Sequence, residues 1–370
     1  MTINTTELNN KATTTTTTDV LIIGAGIAGL AAGNALQQAG LSVQLVDKGR
    51  GVGGRLSTRR FANGAWFDHG AQYFTANTPA FETVLRDWEA EGVVHSWFEQ
   101  LTWFEGDTVT QEPPQNPPRK RYIPTGNGMN SLPKHLAKNL TIQTSTRIVR
   151  LNSINNQWEA MDEQGNFFNA KALIITSPVP QTLELLHNSH ISLTHQQTSQ
   201  LNSVMYEPCL ALMVALNPET IAQDLLPSLA VGYKARDPEH ALGWVGANHT
   251  KVAEASSFST LAFTLHASPN FSRSYWDENL ETILPLLLDA LPTPLKTVMT
   301  PQSIETTQLH RWKYALSSQS LEAMPTVCLQ GLPPCFLAGD AFGDYAKIET
   351  AYLSGLASSK VLVQQLNLTN

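Results

Sequence analysis

Cysteine and long apolar runs are scarce in this sequence. Its 370 residues contain three cysteines, Cys209, Cys328 and Cys335, which are widely spaced and include no C-x-x-C pair. That spacing disfavours a redox dithiol and a zinc site, and it favours a reducing, cytoplasmic location. The cysteine spacing therefore predicts no metal. No apolar run approaches the roughly 18 to 20 residues that span a bilayer, so no membrane partner is predicted either.

Positive charge is also in short supply. The chain carries 24 Lys and Arg residues against 31 Asp and Glu residues, for a net charge of −7. The basic segment PPRKRY, residues 117–122, is too short to follow a phosphate backbone, so no nucleic-acid partner is predicted. The threonine run KATTTTTTD lacks the pattern of a secretory signal and has nothing to bury, which predicts a disordered tail over residues 1–18.

The stretch from Asp19 to Arg55, DVLIIGAGIAGLAAGNALQQAGLSVQLVDKGRGVGGR, is the most informative about a ligand. An apolar run is followed by a segment rich in Ala and Leu that ends at Gly40, and LSVQLVD then has the pattern of a second strand. This is a β-α-β unit of about thirty residues, the size of a nucleotide-binding unit with parallel strands.

Gly24, Gly26 and Gly29 satisfy G-x-G-x-x-G directly after the first strand. In that motif the first glycine permits the turn, the second lets a pyrophosphate approach the backbone, and the third allows the helix to pack on the sheet. Asp47 ends the second strand, where its carboxylate accepts hydrogen bonds from ribose hydroxyls. Because the helix N-terminus also offers free N–H groups to phosphates, the pattern predicts dinucleotide binding.

FAD and NAD(P) both bind to this motif, and the segment after Asp47 favours FAD. Gly53, Gly54 and Arg55 place a second flexible backbone segment and a fork-shaped cation near the pyrophosphate. They resemble the G-G-R extension of FAD enzymes in the amine oxidase and glutathione-reductase-like superfamily. The alternative for this segment is a glycine-rich loop with solvated arginines.

The chain as a whole resembles the renalase-type members of the FAD-dependent amine oxidase superfamily. The resemblance covers roughly residues 19 to 365 and rests on GGRLSTRR, FDHGAQYFT, SPVPQ, HRWKYA, AGDAFG and IETAYLSGLASS. It implies a p-hydroxybenzoate-hydroxylase-like fold and noncovalent FAD. It further implies oxidation of a small substrate, the 2- or 6-dihydro isomers of NAD(P)H, with O₂ accepting the electrons to give H₂O₂.

The resemblance also implies where the cofactor is held. A strand ending at Gly339 and Asp340 turns into a helix whose first amides, at residues 349–351, face the flavin. Ile148 matches the backbone contact to adenine. The predicted FAD contacts are Gly24, Ala25, Gly26, Ile27, Ala28, Gly29, Asp47, Lys48, Gly53, Gly54, Arg55, Gly70, Ala71, Gln72, Ile148, Gly339, Asp340, Glu349, Thr350 and Ala351.

The predicted fold class is α/β, a Rossmann-type FAD-binding domain with an inserted α+β substrate domain of antiparallel sheet. A chain of this length exceeds the roughly 250 to 300 residues at which one core stops growing, so two lobes are expected. The FAD-binding domain is predicted at 19–75, 119–180 and 320–370. The substrate domain is predicted at 76–118 and 181–319.

Four residues are predicted to act at the flavin: Gln72 and Tyr73 from GAQYF, and Arg311 and Trp312 from HRWKY. Arg311 is expected to stabilise negative charge on the reduced flavin or to pair with a substrate phosphate. Trp312 is expected to form an aromatic wall, although Tyr73 and Trp312 are almost as consistent with core packing. No acid/base pair is predicted, because a dihydropyridine becomes an aromatic pyridinium by losing hydride alone.

Other residues near these motifs have more ordinary interpretations. His69 and His310 fit structural roles better than catalytic ones. Trp244 and His249 either line a substrate pocket or, as their strand pattern favours, pack within the sheet. Lys347 fits a solvated loop charge better than a lysine beside the flavin.

Two other functions remain open. One is an amine oxidase or a desaturase acting on another small substrate, although a desaturase usually carries a membrane-facing apolar helix and none is evident. The other is a noncatalytic FAD-binding protein that serves as a redox sensor. A second G-x-G-x-x-G after a strand is absent, which disfavours a reductase with two nucleotide lobes.

Overall fold

The computed structural model describes residues 17–222, 225, 229–252, 260–322, 324, 326–344 and 348–367. The strands are β1 (Thr18–Ile23), β2 (Val43–Val46), β3 (Thr58–Arg60), β4 (Trp66–Asp68), β5 (Val94–Phe98), β6 (Thr102–Glu105), β7 (Thr108–Gln111), β8 (Arg121–Pro124), β9 (Thr141–Gln143), β10 (Ile148–Ile154), β11 (Gln157–Asp162), β12 (Phe167–Ile175), β13 (Met205–Leu216), β14 (Gly232–Ala235), β15 (Leu242–Ala247), β16 (Leu261–Ala267), β17 (Ile304–Gln319), β18 (Val327–Cys328) and β19 (Cys335–Leu337). The α-helices are α1 (Ile27–Gln38), α2 (Pro79–Ala90), α3 (Ser131–Leu136), α4 (Val179–Asn188), α5 (His195–Asn202), α6 (Pro269–Ser274), α7 (Leu280–Asp289), α8 (Thr293–Lys296) and α9 (Ile348–Asn367).

The first sheet contains the predicted β-α-β unit. β1 lies between β2 and β12, all three parallel, and β9 and β19 extend the parallel set on either side. The central strands are almost entirely buried, as expected for parallel strands covered on both faces. The first half of β12 also pairs antiparallel with β11, and β11 pairs with β10, so a short meander is attached to the parallel strands.

Two helices cover one face of this sheet and run parallel to each other. A methyl group on Gly355 of α9 would overlap the carbonyl oxygen of Ala28 in α1. One turn further along both helices, Ser359 Oγ donates to the carbonyl of Ala32 at 3.2 Å. The contacts advance together along both chains, so the N-termini of α1 and α9 point the same way. α9 begins about 9 Å before α1, from the 1.5 Å rise per residue.

The second sheet is mostly antiparallel and lies within the other lobe. Its strand order is β17-β13-β16-β15-β14-β6-β7, and only β14 and β6 pair in parallel. Its core includes Leu212 and Phe263, against which Ile283 and Leu287 of α7 pack. The long strand β17 pairs with β13 and reaches the first lobe, where Arg55 donates to the carbonyls of its residues Tyr314 and Ala315.

Most predicted elements are present, with two differences in placement. α2 begins at Pro79 with Thr78 as its N-cap, as the sequence predicts. The predicted domain boundary at residue 181 would assign α4 and α5 to the substrate domain, but Leu185, Leu186 and Leu201 pack into the core of the first sheet. Most of the predicted N-terminal tail lies outside the described residues, and β1 begins at Thr18. In the described part of the chain, no helix combines the length and apolar character needed to cross a bilayer.

Candidate functional site

The glycine loop after β1 is held by the end of β2. Ala25 N donates to Asp47 Oδ2 at 2.7 Å, and the other Asp47 oxygen accepts from Gly49 N at 2.7 Å. Gly53 N donates to the Ala25 carbonyl at 2.8 Å, so the second glycine segment lies directly on the first. The structure therefore brings together the motifs that the sequence separates by more than twenty residues.

The backbone at Gly26 fits a pyrophosphate. Gly26 is the N-cap of α1 in an ordinary extended conformation, and a methyl group built on it would contact nothing within 4 Å. Neither local conformation nor packing requires a glycine there, so the open space beside the helix N-terminus is what a side chain would fill. Gly29 differs, because a methyl group there would overlap the Gly24 carbonyl. Both roles agree with those that the fingerprint predicts.

Arg55 and Asp340 join the two ends of the predicted cofactor site. The guanidinium donates to both carboxylate oxygens of Asp340, at 2.7 and 2.5 Å. Asp340 is nearly buried, and Tyr206 packs beside it, where burial and the Asp340 charge raise the pKa of the phenol. A two-pronged pair of this kind fixes both planar groups in orientation, so the strand-to-helix turn after β19 is tied to the G-G-R segment.

The N-terminus of α9 is fixed by Glu349. Its carboxylate accepts from Asn77 N, Asn77 Nδ2 and Thr78 N at 2.7 to 2.9 Å. The Glu349 side chain is thus occupied in holding the start of α2. The backbone amides of Glu349, Thr350 and Ala351 are in the first turn of α9, where N–H groups have no partner within the helix and suit an anion.

The segment from Asp68 to Gln72 is held by a buried ion pair. Lys251 Nζ donates to Asp68 Oδ2 at 2.8 Å and to the Gln72 carbonyl at 2.9 Å, and both charged side chains are at most 2% exposed. Burial lowers the pKa of Lys251, which the Asp68 charge partly opposes. Ala71 N donates to the Arg55 carbonyl at 2.8 Å. The ion pair therefore positions Gln72 next to the G-G-R segment.

Tyr73, the residue after Gln72, belongs to a group of four packed side chains that we call the aromatic cluster: Tyr73, Trp97, Phe98 and Trp244. Tyr73 and Trp244 have ring centroids 5.4 Å apart, and Phe98 is stacked with Trp244 at 6.3 Å. Lys251 Nζ lies 4.6 Å from the Trp97 ring centre, and the Arg121 guanidinium lies 5.5 Å from that of Phe98. Phe98 and Trp244 are stacked and the other ring pairs of the cluster are tilted or edge-on, and cations of the protein already lie over two of the rings.

Beside it is a histidine cluster made of His69, His266, His310 and Trp312. Trp312 Nε1 donates to the His69 carbonyl at 2.7 Å and its ring stacks on that of His69 at 5.4 Å. Burial lowers the pKa of His69 to about 3, with His310 and Arg59 adding to the effect, and burial lowers the pKa of His266 to about 4. The imidazoles of His69 and His266 are therefore uncharged at neutral pH.

Of the four residues predicted to act at the flavin, Tyr73 and Trp312 fall in these clusters. Gln72 lies in the adjoining segment that Lys251 holds, and Arg311 lies elsewhere. Arg311 is exposed, and its guanidinium donates to the carbonyls of Trp276 and Glu278. Neighbouring residues of a strand point to opposite faces, so Trp312 and Arg311 of β17 cannot both face the histidine cluster. The structure therefore separates Arg311 from Gln72, Tyr73 and Trp312.

Ile148 and Lys48 are two further residues predicted to contact FAD. Ile148 is buried at the start of β10, in the same core cluster as Ile23 and Val46. Lys48 is exposed, and its amine donates to Gln181 Oε1 at 2.7 Å. Lys347 lies outside the described residues.

Sequence reasoning missed the ion pair of Asp68 and Lys251 and the rings of Trp97 and Phe98. Asp68 is part of FDHGAQYFT, so an acid inside a motif was available as a signal. Lys251 lies in no recognisable motif and meets Asp68 across 183 residues of chain. Only the tertiary fold identifies it.

A family model described as flavin-containing amine oxidoreductase matches residues 118–363, and one described as NAD(P)-binding Rossmann-like domain matches residues 22–88. The chain belongs to the flavin-containing amine oxidoreductase family. Renalase from Mus musculus is 24% identical over 93% of this chain and 98% of its own length. The fold is that of FAD-dependent oxidases of this family, and the chain is an FAD-dependent oxidoreductase.

Solved structures of similar fold include oxidases with other substrates in their names. Cyclohexylamine oxidase from Brevibacterium oxydans has a TM-score of 0.70 at 10% identity, covering 95% of this chain and 100% of its own. A protein from Exiguobacterium described as a putative protoporphyrinogen oxidase has a TM-score of 0.69 at 14% identity, covering 96% and 100%. FAD is the cofactor that family membership assigns, and the glycine loop, Arg55 and the α9 N-terminus fit it.

Proposed function

We propose that this protein is a renalase-like oxidase that takes hydride from 2- or 6-dihydro isomers of NAD(P)H and passes the electrons to O₂. The similarity to mouse renalase along nearly the whole chain supports the substrate class. In the balanced reaction, a dihydronicotinamide, O₂ and one proton give the aromatic pyridinium and H₂O₂. The bound flavin supplies the two-electron chemistry that links these half-reactions.

The charge state of the site is the observation that carries this proposal. Among the described residues next to the aromatic cluster, Lys251 is paired with Asp68, and Arg121 is paired with Glu112 at 2.9 Å. Each carboxylate is thus already paired with a cation. A substrate ammonium would meet two protein cations over Trp97 and Phe98, whereas the ring of a dihydropyridine is uncharged.

The neutral histidines support the same reaction. Oxidising an amine requires its nitrogen to be deprotonated, whereas hydride loss from a dihydropyridine leaves no proton to remove. His69 and His266 have pKa values of about 3 and 4, well below a base poised near pH 7. For hydride loss, the protein must hold the dihydropyridine ring in the reacting orientation and exclude water. Buried aromatic side chains do both.

The test is anaerobic mixing of the purified yellow protein with the 2-, 4- and 6-dihydro isomers of NADH and NADPH, separately. We expect rapid loss of the visible flavin absorbance with the 2- or 6-isomers and a rate at least about a hundredfold lower with the 4-isomer. Admitting air is then expected to yield one H₂O₂ per isomer consumed. Reduction by primary amines but by none of the isomers would contradict the proposal and support an amine oxidase.

A further inference from the structure

Three buried polar atoms of the candidate site have no hydrogen-bond partner among the described residues, and one of them, His69 Nδ1, belongs to the histidine cluster. The other two are Gln72 Oε1, an acceptor, and Trp244 Nε1, a donor. Gln72 is 6% exposed and Trp244 is 8% exposed. Buried polar groups in native proteins are almost always satisfied, so an unpaired acceptor and an unpaired donor in one place indicate a ligand group that supplies both partners.

The two atoms lie over the same glycine. A methyl group built on Gly246 would be 2.6 Å from Gln72 Oε1 and 2.7 Å from Trp244 Nε1. On its other side, the indole is packed so closely against Gly232 that a methyl group there would overlap it. The absence of side chains at both glycines therefore sets the position of the indole and keeps its N–H beside the Gln72 amide.

The orientation of the Gln72 amide is set by its other end. Its Nε2 donates to the carbonyls of Asp68 and Gly70, the latter at 3.2 Å. With the NH₂ group committed to two acceptors, the oxygen must be the end that faces Trp244. Asp68 is in turn fixed by Lys251, so the acceptor is positioned by the buried ion pair.

We propose that Gln72 and Trp244 recognise the primary carboxamide of a dihydronicotinamide ring, an inference that rests on the proposed function. A carboxamide NH₂ donates to Gln72 Oε1 while its carbonyl accepts from Trp244 Nε1. An ammonium group offers donors alone and leaves Trp244 unpaired, and a carboxylate offers acceptors alone and leaves Gln72 unpaired. Tyr73, next to Gln72 in the chain and 5.4 Å from Trp244, supplies a flat neighbour for the ring that bears the amide.

The first test compares two ligands on the unmodified holoenzyme by titration calorimetry. NAD⁺ is the carboxamide probe, and its 3-acetylpyridine analogue keeps the carbonyl but replaces NH₂ by CH₃. We expect the analogue to bind about tenfold more weakly, the effect of one lost hydrogen bond with a buried acceptor left unpaired. Equal affinity of the two ligands, or no measurable binding of NAD⁺, overturns the inference. In either case a bridging water, and not a carboxamide, satisfies Gln72 Oε1 and Trp244 Nε1.

The second test uses Trp244→Phe, which removes the N–H donor but keeps a ring, with Trp103→Phe on β6 as the matched control. We expect Trp244→Phe to weaken NAD⁺ and the analogue equally, by about tenfold, because both retain the carbonyl. Trp103→Phe is expected to leave both affinities unchanged. If Trp244→Phe binds both ligands as the unmodified protein does, the inference is overturned.

The two proposals fail in distinguishable ways. If no dihydro isomer reduces the flavin but NAD⁺ still binds about tenfold tighter than its acetyl analogue, the proposed reaction is wrong and carboxamide recognition stands. If the isomers are oxidised rapidly but the two probes bind equally, the reaction stands and Gln72 and Trp244 do not read the amide.

Discussion

Arg55 and Asp340 show how much of the candidate site depends on single side chains. The pair is partly buried and two-pronged, and it connects segments 285 residues apart. Arg55→Lys keeps the charge but replaces the planar fork with a point charge that makes one hydrogen bond at a time. We expect a loss of about 1 to 3 kcal/mol in the free energy of unfolding and weaker FAD binding, measured by flavin fluorescence titration of the apoprotein.

The control for Arg55→Lys is Lys171→Gln, which breaks an ion pair with Asp19 of nearly the same length but with the lysine 56% exposed. Exposed pairs contribute about 0 to 1 kcal/mol. Similar losses in the two variants, with FAD affinity unchanged in both, would show that Arg55 has no special connection to the cofactor site.

Lys251→Met is expected to be among the most damaging substitutions in the described chain. It leaves the Asp68 carboxylate buried without its cation, which costs about 3 to 5 kcal/mol in unfolding free energy. Because the same amine holds the Gln72 carbonyl, binding of NAD⁺ is expected to weaken as well. The double variant Lys251→Met with Asp68→Asn removes the unpaired charge and is expected to recover part of the stability in urea unfolding. No recovery would contradict this account.

At the scale of elements, the packing of α9 on α1 controls where the two helix N-termini lie. Gly355→Ala introduces a methyl group into the Ala28 carbonyl, so α9 must shift. We expect a net loss of about 1 to 3 kcal/mol from overpacking, with FAD affinity falling because the α9 amides move. Gly243→Ala is the control, since a methyl group there lies 3.8 Å or more from its neighbours. Unchanged FAD affinity in Gly355→Ala would contradict the role given to this contact.

The elements also show where sequence reasoning succeeds and where it stops. β1, α1 and β2 follow from an apolar run, a glycine turn and helix-favouring residues, which are local signals. Residues 310–315 are recognisable as a motif but not as a strand, so the alternation that separates Arg311 from Trp312 does not follow from the sequence. The placement of α4 and α5 against the first sheet depends on contacts between segments distant in the chain, which no local pattern encodes.

At the scale of the whole molecule, the cofactor motifs are predictable from the sequence, and the proposed substrate site is predictable only in part. The residues predicted to bind FAD occur in recognisable strings, and the structure brings the glycine loop, the G-G-R segment and Asp340 together. The proposed carboxamide site combines Gln72, which the sequence singles out, with Trp244 and with Lys251, which lies in no motif. The tertiary fold alone shows that β15 and Lys251 meet the segment from Asp68 to Gln72.

The buried histidines predict how the stability of the whole molecule changes with pH. His69, His249 and His266 have pKa values lowered by burial to about 3, 4 and 4, from an ordinary value of 6.5. The unfolded chain therefore binds protons below pH 6.5 that the folded chain does not. Stability is fully present above pH 6.5 and falls as pH drops towards 4, by up to about 1.4 kcal/mol per pH unit for each histidine.

This prediction is checked by urea unfolding at several pH values from about 7 to about 4. His266→Gln removes one of the three buried histidines, so stability is expected to fall less steeply as the pH drops. His187→Gln is the control, because His187 is exposed, and it is expected to leave that slope unchanged. A flat stability profile down to pH 5 would show that these histidines already carry protons in the folded protein.

The parallel contact between α1 and α9 has a consequence for biosynthesis. The glycine loop is translated early and α9 roughly three hundred residues later, so a growing chain on the ribosome has the N-terminus of α1 long before that of α9. Arg55 is likewise synthesised long before its partner Asp340. We therefore expect FAD to bind late in synthesis, so that chains that stall before α9 are colourless.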